Sequence, residues 1–326
     1  MPAFDAVVAG AGGFIGGHLV RALLDEGKTV RAVDIKPFDQ WDQRHETADN
    51  LSRDVGLLES AREVLDGGAG EVYNLACNMG GMGFIETHKA ECMLSVLPST
   101  HMLMAARDAG VGRFFYSSSA CVYAGYKQTD PNLTALKEED AYPADAEDGY
   151  GWEKLFSERM CRHFREDFGL ETRIARYHNI YGPQGTWDGG REKAPAAACR
   201  KVAIAALTGE HEVEIWGDGE QTRSFTYVDD CVHGSRMLTR GDFVDPLNVG
   251  SSEITTINNL YHLIADIAGV DIKLKHIDGF LGVRGRNSDN TLIQKEFNWE
   301  PSITLREGLT ETYRWIHDQV ARKLGK

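Results

Sequence analysis

The stretch that most restricts what this chain can become is residues 5–27, DAVVAGAGGFIGGHLVRALLDEG. Residues 5–10 read as a short buried strand and the glycines after them as a tight turn. GGHLVRALLDEG then reads as a helix with Leu19, Leu23 and Leu24 on one face. A strand that passes into a helix across so short a turn must lay that helix back over its own sheet. The rhythm continues: TVRAVDI predicts a second strand, residues 57–66 a helix, EVYNLA a third strand, residues 93–109 a helix ended by Gly110, and RFFYSSS a fourth strand. Alternation of this kind implies parallel strands joined by right-handed crossovers, so the expected class is α/β with a doubly wound parallel sheet.

Beyond it, YGWEKLFSERMCRHFREDFG (150–169) predicts an amphipathic helix closed by glycine, and ETRIARYHNIYGP a strand running into a loop. After Gly182 the character shifts to the loop GPQGTWDGGREKAP. A helix near 195–207 follows, then two short strands around a turn in EVEIWGDGEQTRSFTYV, a helix near 256–268, a strand near 272–277 and a last helix from about 306. With 326 residues, the chain exceeds the size at which one hydrophobic core usually stops growing. Neither a repeat nor a Pro/Ser-rich linker divides it, so two interleaved parts are expected. One is a dinucleotide-binding domain of residues 1–178 plus 223–247; the other is a smaller α/β substrate-binding domain of residues 179–222 plus 248–326.

Forty-nine acidic against thirty-five basic residues give a net charge of −14, and no Lys/Arg block alternates with aromatics, which argues against nucleic acid as a partner. A negatively charged ligand would need a local basic cluster. The six cysteines show neither a Cys-x-x-Cys pair nor histidines at metal-ligand spacing, so no metal site and no disulfide framework are expected, and a reduced, cytoplasmic setting fits. No window approaches eighteen uninterrupted apolar residues and the N-terminus enters a strand at once, so neither a membrane span nor an export signal is expected.

Gly10, Gly13 and Gly16 occupy the turn between the first strand and helix. Glycine there lets the backbone approach a pyrophosphate while the helix N-terminus supplies donors and partial positive charge. A glycine triplet alone fits any tight turn. Asp34, at the end of the second strand, adds an acceptor for both hydroxyls of an adenosine ribose and would repel a 2′-phosphate, which favours NAD over its phosphorylated form. Asp54 in SRDVG is an expected adenine contact. Tyr150 and Lys154 lie four apart, on one helix face. A phenol is a poor base at neutral pH; a lysine ammonium and the positive nicotinamide nearby are expected to favour the phenolate.

Gly10-x-x-Gly13-x-x-Gly16, Asp34, Ser119, Tyr150-x-x-x-Lys154 and Asn179-Ile-Tyr-Gly-Pro183 together resemble the extended short-chain dehydrogenase/reductase family of nucleotide-sugar enzymes. NMGGMGF (78–84), SSACVY (118–123), HNIYGPQGTW (178–187), GGREKAPAA (189–197), WGDGEQTRSFT (216–226) and GVRGRNSDN (282–290) narrow this. They closely resemble the GDP-mannose 3,5-epimerases within that family. The resemblance implies catalytic NAD and GDP-mannose as nucleotide-sugar substrate, giving GDP-L-galactose and also GDP-L-gulose. It implies a homodimer paired through the helices near 93–109 and 150–169. It carries over Ser119, Tyr150 and Lys154 as a redox triad, with Cys121 and Lys193 as the epimerising base and acid. Phe14, Ile15, Leu75 and Ala76 join the cofactor site. Gly80, Asn179, Glu192, Ala194, Lys201, Gln221, Arg223 and Arg286, with Ser119, Cys121 and Lys193, line the substrate and its diphosphate. Where those relatives carry an acid after Ala in Ala-Asp-Met-Gly-Gly, this chain reads Cys77-Asn78-Met79-Gly80-Gly81.

The implied reaction makes chemical demands. A hydrogen on an ordinary sugar carbon is too weakly acidic for any side chain to remove. With a ketone at carbon 4, the protons at carbons 3 and 5 become α to a carbonyl, and inversion needs a base on one face and an acid on the other, each within roughly 3 Å. Cys121, two residues beyond Ser119, is expected to point to the serine's side of the strand end. Lys193 is expected to be the cation that tunes its thiol. A 4,6-dehydratase would carry an Asp-Glu pair where Ala120-Cys121 stands, and a simple 4-epimerase would leave Cys121 and Lys193 without a task. A catalytically silent NAD-sensing protein would be expected to have lost Tyr150 or Lys154. Cys77, Cys92, Cys161, Cys199 and Cys231 read as packing residues within strands and helices. The acidic stretch 137–149 reads as a solvated loop, and Trp187 and Trp216 as flanking or packing aromatics.

Overall fold

A computed structural model describes residues 2–132, 134–280 and 282–326. Seven parallel strands form one sheet in the order Leu247–Val249, Thr172–Tyr177, Arg113–Ser119, Ala69–Asn74, Phe4–Ala9, Val30–Asp34, Asp49–Ser52. The chain begins in the middle and winds outward on both sides, as the sequence predicts. Alternate side chains explain why both faces must be covered. Ala6, Val8, Tyr73 and Phe115 point into one core, and Val7, Ala9, Val72, Phe114 and Tyr116 into another. Helix Phe14–Asp25 places Leu19 and Leu23 in the first core, while Val96–Asp108 places Met102, Leu103 and Ala106 in the second.

The remaining strands build small sheets over the carboxyl edge of the large one. Glu212–Trp216 pairs in parallel with Lys273–Ile277. Thr222–Ser224 lies between antiparallel Ile254–Thr256 and parallel Gly285–Arg286. The two short strands expected around Gly217–Gly219 therefore exist, but each pairs with a distant segment rather than with the other. Four features departed from expectation. Edge strand Asp49–Ser52 has the polar sequence DNLS and no alternation to betray it. Helix Val228–Arg240 buries Asp230, Ser235 and Thr239, which masks its apolar stripe. Short helix Thr291–Phe297 buries Ile293 alone. The helix expected over 93–109 divides into Lys89–Met93 and Val96–Asp108, with Pro98 in the first turn of the second, where its missing N–H costs nothing.

Candidate active site

A cleft of ≈ 1320 Å³ opens where the carboxyl ends of the central strands meet the small sheets. All the expected site residues line it except Lys154, which lies buried behind Tyr150. At one end, Gly10 has φ +86, and a Cβ there would sit 2.8 Å from the Leu75 carbonyl carbon. A Cβ on Gly16 would lie 2.1 Å from the Gly10 carbonyl oxygen, so the helix start rests directly on the strand end. No acidic residue occupies the first turn of that helix, leaving its N–H groups available to an anion. Asp34 accepts from the Gly12 and Lys36 amides, each at 3.0 Å, which fixes the carboxylate while leaving each oxygen a further lone pair. Asp54 accepts from Gly56 N at 2.8 Å. Ile35 and Leu57, 64% and 59% exposed, form an apolar wall beside these two acids. An adenosine and pyrophosphate fit this cradle: close backbone, free amide donors, a fixed ribose acceptor and a flat apolar surface.

Deeper in, Tyr150 and Lys154 share a face of helix Asp148–Phe168, as their spacing predicts. Lys154 Nζ donates to Ser117 O at 3.2 Å and stands 5.5 Å from the Tyr150 ring centroid. Glu153 carries the neighbouring negative charge, with Oε2 3.5 Å from Nζ and Oε1 accepting from Tyr116 and Ser157 hydroxyls at 3.1 and 3.0 Å. Lys154 is one of the two positive charges expected to favour the Tyr150 phenolate, the other being the nicotinamide of NAD. Burial pushes the phenol well above its ordinary value, and the Lys154 charge offsets this only in part.

Cys121 does not continue the strand. The strand ends at Ser119, and Ala120–Val122 form a 3₁₀ turn, so strand alternation does not govern the cysteine. What joins the two is a hydrogen bond from Cys121 N to Ser119 Oγ at 3.2 Å. Nor is Lys193 the cation on the sulfur. Arg286 Nη1 lies 3.5 Å from Sγ, while its Nη2 donates to Glu147 at 2.8 Å and its Nε to Gln128 Oε1 at 2.7 Å. Burial, then Glu147, raise the Cys121 thiol to about 11 against the opposing pull of Arg286. The Lys193 ammonium has no ion-pair or hydrogen-bond partner among the described residues; burial lowers it, with Cys121 as the largest opposing charge.

Arg223 donates to the carbonyls of Thr222 and Val283 at 2.8 and 2.7 Å and has no carboxylate partner among the described residues. Burial brings it down to about 10, so it is a cation held without a counter-ion in the cleft. Gln221 presents a buried Oε1 with no partner, and Asn179, at φ 47, donates to Ser224 O at 2.9 Å. Glu192 is engaged, bonding Arg200 and Gly190 N, each at 2.7 Å, and Lys201 donates to Glu214 O. Gly80 packs on Phe84, and Ala194 opens helix Ala194–Thr208. Asn78 bonds Arg191 at 2.9 Å, tying the loop after strand Ala69–Asn74 to the loop that carries Lys193. Trp216 lines the cleft; Trp187 packs against the core instead.

Three features escaped sequence reasoning. Cys77 lies in the loop beyond strand Ala69–Asn74, lining the cleft with Lys154 among its near charges, and is not a residue buried inside an element. Glu153 was hidden inside the YGWEK motif. Glu147 was hidden in the acidic stretch, which is not simply solvated, since Glu138 accepts from Asn248 N and Glu147 pairs with Arg286. Glu147 is the N-cap residue of helix Asp148–Phe168, outside the helical repeat, so no face-sharing rule could pair it with Tyr150.

The chain is 46% identical over 322 residues to GDP-mannose 3,5-epimerase 1 of Oryza sativa subsp. japonica, covering 97% of this chain and 82% of that protein. To GDP-mannose 3,5-epimerase of Arabidopsis thaliana it is 45% identical over 320 residues, 98% and 84% of the two chains. The crystal structure of UDP-glucose 4-epimerase from Thermotoga maritima superposes with a TM-score of 0.86 over 97% of this chain and 99% of that one, at 24% identity, a likeness of fold. The family model described as NAD dependent epimerase/dehydratase matches residues 6–250, so NAD is the cofactor, and the chain belongs to that family.

Proposed function

We propose that the protein is an NAD-dependent isomerase that epimerises GDP-D-mannose at carbons 3 and 5 to GDP-L-galactose, with GDP-L-gulose as the product of inversion at carbon 5 alone. The observation that carries this reading is the presence of Cys121 and Lys193 in the same cleft as Ser119 and Tyr150, with Lys154 directly behind the tyrosine. A redox triad suffices for inversion at carbon 4; a second acid/base pair serves carbons that become acidic beside a ketone. Bound NAD supplies reversible hydride acceptance at carbon 4.

Tyr150, as the phenolate that Lys154 and the positive nicotinamide together favour, takes the carbon-4 hydroxyl proton and later returns it. Lys154 lowers the cost of the phenolate, and Ser119 holds the sugar oxygen. Cys121 and Lys193 move protons at carbons 3 and 5 from opposite faces. Lys193 is suited to this because burial without a counter-ion makes its proton easier to lose. Arg223, as an unpaired buried guanidinium, meets the diphosphate. Gly80, Asn179, Glu192, Ala194, Lys201, Gln221 and Arg286 complete the substrate site, and residues 179–222 plus 248–326 form the substrate-binding domain.

A homodimer is supported by exposed Met93, Trp152 and Phe156 on helices Lys89–Met93 and Asp148–Phe168, which a second copy would cover. A cytoplasmic setting is supported by free cysteines and by the absence, among the described residues, of a helix long and apolar enough to cross a membrane. No cluster that could hold a metal ion occurs among the described residues. Incubation of the enzyme with GDP-mannose in deuterium oxide, read by NMR, is expected to place deuterium at carbons 3 and 5. A product pool free of deuterium at both positions refutes the assignment.

A further inference from the structure

We infer that Glu147 is a positioning residue for the proton-transfer thiol of Cys121: its carboxylate fixes the Arg286 guanidinium against the sulfur and neutralises it, holding Cys121 protonated until substrate arrives. The inference deepens the reading of Cys121 as a proton-transfer group and rests on it.

The geometry is closed on every side. Glu147 is bonded to the cysteine's own backbone, its amide donating to Cys121 O at 2.9 Å. Helix Asp148–Phe168 then presses on the same carbonyl, because a Cβ on Gly151 would overlap the Cys121 oxygen. Arg286 has each guanidinium nitrogen engaged, Nε by Gln128, Nη1 by the sulfur and Nη2 by Glu147. Gln128 is fixed in turn, its Nε2 donating to Tyr123 O at 3.1 Å. The guanidinium plane cannot turn without breaking one of these contacts.

Charge explains what the arrangement does. Arg286 alone would favour a thiolate at Cys121. Glu147, its side chain 10% exposed and paired with that arginine at 2.8 Å, opposes that effect and also faces the thiol directly. The other charged and titratable groups facing Cys121 are Tyr150 from the helix, Lys193 from the loop before helix Ala194–Thr208, and Arg223 from strand Thr222–Ser224. None of them pairs with Glu147 within ion-pair distance among the described residues. A diphosphate entering beside Arg223 and Arg286 competes with Glu147 for the guanidinium, so substrate binding and the protonation state of Cys121 are coupled through one side chain.

The test uses the NAD-loaded enzyme without substrate and follows alkylation of the Cys121 peptide by iodoacetamide across pH, read by mass spectrometry, with Cys121→Ala identifying the signal. Glu147→Gln keeps the shape and loses the charge. Its alkylation midpoint is expected to fall by about one unit or more, a tenfold rise in thiolate at a given pH below the midpoint. Glu147→Asp retains the charge and is expected to stay near the parent. An unchanged or higher midpoint in Glu147→Gln overturns the inference, as does an equal fall in Glu147→Asp. Should Glu147→Gln not fold, Arg286→Gln provides the opposite arm: its midpoint must rise, and a fall refutes the inference. In turnover, Glu147→Gln is expected to move the pH profile of kcat to lower pH. A raised KM with the kcat profile unmoved would make Glu147 a substrate ligand and refute the positioning role. The alkylation result is independent of substrate identity, so failure of deuterium uptake from GDP-mannose would remove the substrate assignment and leave the thiol control standing.

Discussion

Gly16→Ala is a sharp test of the cofactor cradle, because the structure sets its size. The added Cβ would start 2.1 Å from Gly10 O, 2.8 Å from Gly10 C and 2.9 Å from Ala11 Cα. All three are atoms of a central strand end and its turn, which cannot swing aside as a side chain can. Relief requires helix Phe14–Asp25 to retreat by about 1 Å, since carbon and oxygen repel steeply inside ordinary contact distance. An N–H at its first turn then passes from about 2.9 Å to about 4 Å from a phosphate oxygen, beyond hydrogen-bond range. Loss of one charge-assisted bond costs about 1.5–3 kcal/mol, or roughly 10- to 150-fold in NAD affinity. Overpacking should also cost about 1–3 kcal/mol of stability. Gly17→Ala is the matched control one residue on, where the nearest atom is Gln43 Cβ at 2.7 Å, so that relief moves the segment carrying Gln43 and not the strand end of the cradle. Calorimetric NAD titration of both variants, with melting curves beside them, checks the reasoning. NAD affinity in Gly16→Ala within twofold of the parent, or equal losses in both variants, refutes it.

Tyr150→Phe is expected to lower turnover by about 10²–10⁴-fold while NAD remains bound, the span of a lost general acid/base; unchanged turnover contradicts its role. Cys121→Ala is expected to stop deuterium entry at carbons 3 and 5 yet still permit slow oxidation at carbon 4, seen as reduced nicotinamide absorbance on mixing with GDP-mannose; normal epimerisation returns the cysteine to a packing role. Arg176→Met should cost about 3–5 kcal/mol in denaturant unfolding, because Arg176 and Glu158 are 2% and 3% exposed and joined at 2.9 and 2.7 Å, leaving a buried carboxylate unpaired. Adding Glu158→Met should recover most of that loss. His178, fully buried with Nε2 2.8 Å from Asn248 Oδ1, is lowered from 6.5 to about 3 chiefly by burial. Above pH 6.5 both folded and unfolded chains hold it neutral. Between pH 6.5 and about 3 only the unfolded chain takes up the proton, so this site should subtract about 1.4 kcal/mol of stability per pH unit on acidification. Urea unfolding of His178→Gln against the parent, compared at several pH values, should show a flatter acid limb; parallel curves rule the site out.

The winding of the large sheet was legible because it follows from local pattern: a strand, a glycine turn and an amphipathic helix leave few ways to bury both faces. The polar edge strand Asp49–Ser52 and helix Val228–Arg240 were not, since their partners in space, rather than their own periodicity, make them regular. The same division runs through the site. Tyr150 and Lys154 are one helical turn apart and were paired by spacing alone. Glu147, Arg286, Gln128 and Cys121 meet across more than a hundred residues, in pairs such as Arg286 with Cys121 that no local rule could join.

By itself, then, the sequence determined the parallel α/β architecture, the glycine turn after the first strand and the Tyr150–Lys154 spacing, because each is written within a few consecutive residues. Only the tertiary structure decided which cation touches the Cys121 sulfur and which acid neutralises it. It also decided that burial outweighs the Lys154 charge at Tyr150. Those outcomes depend on distance and on exclusion of water, two quantities that exist only once distant segments have packed together.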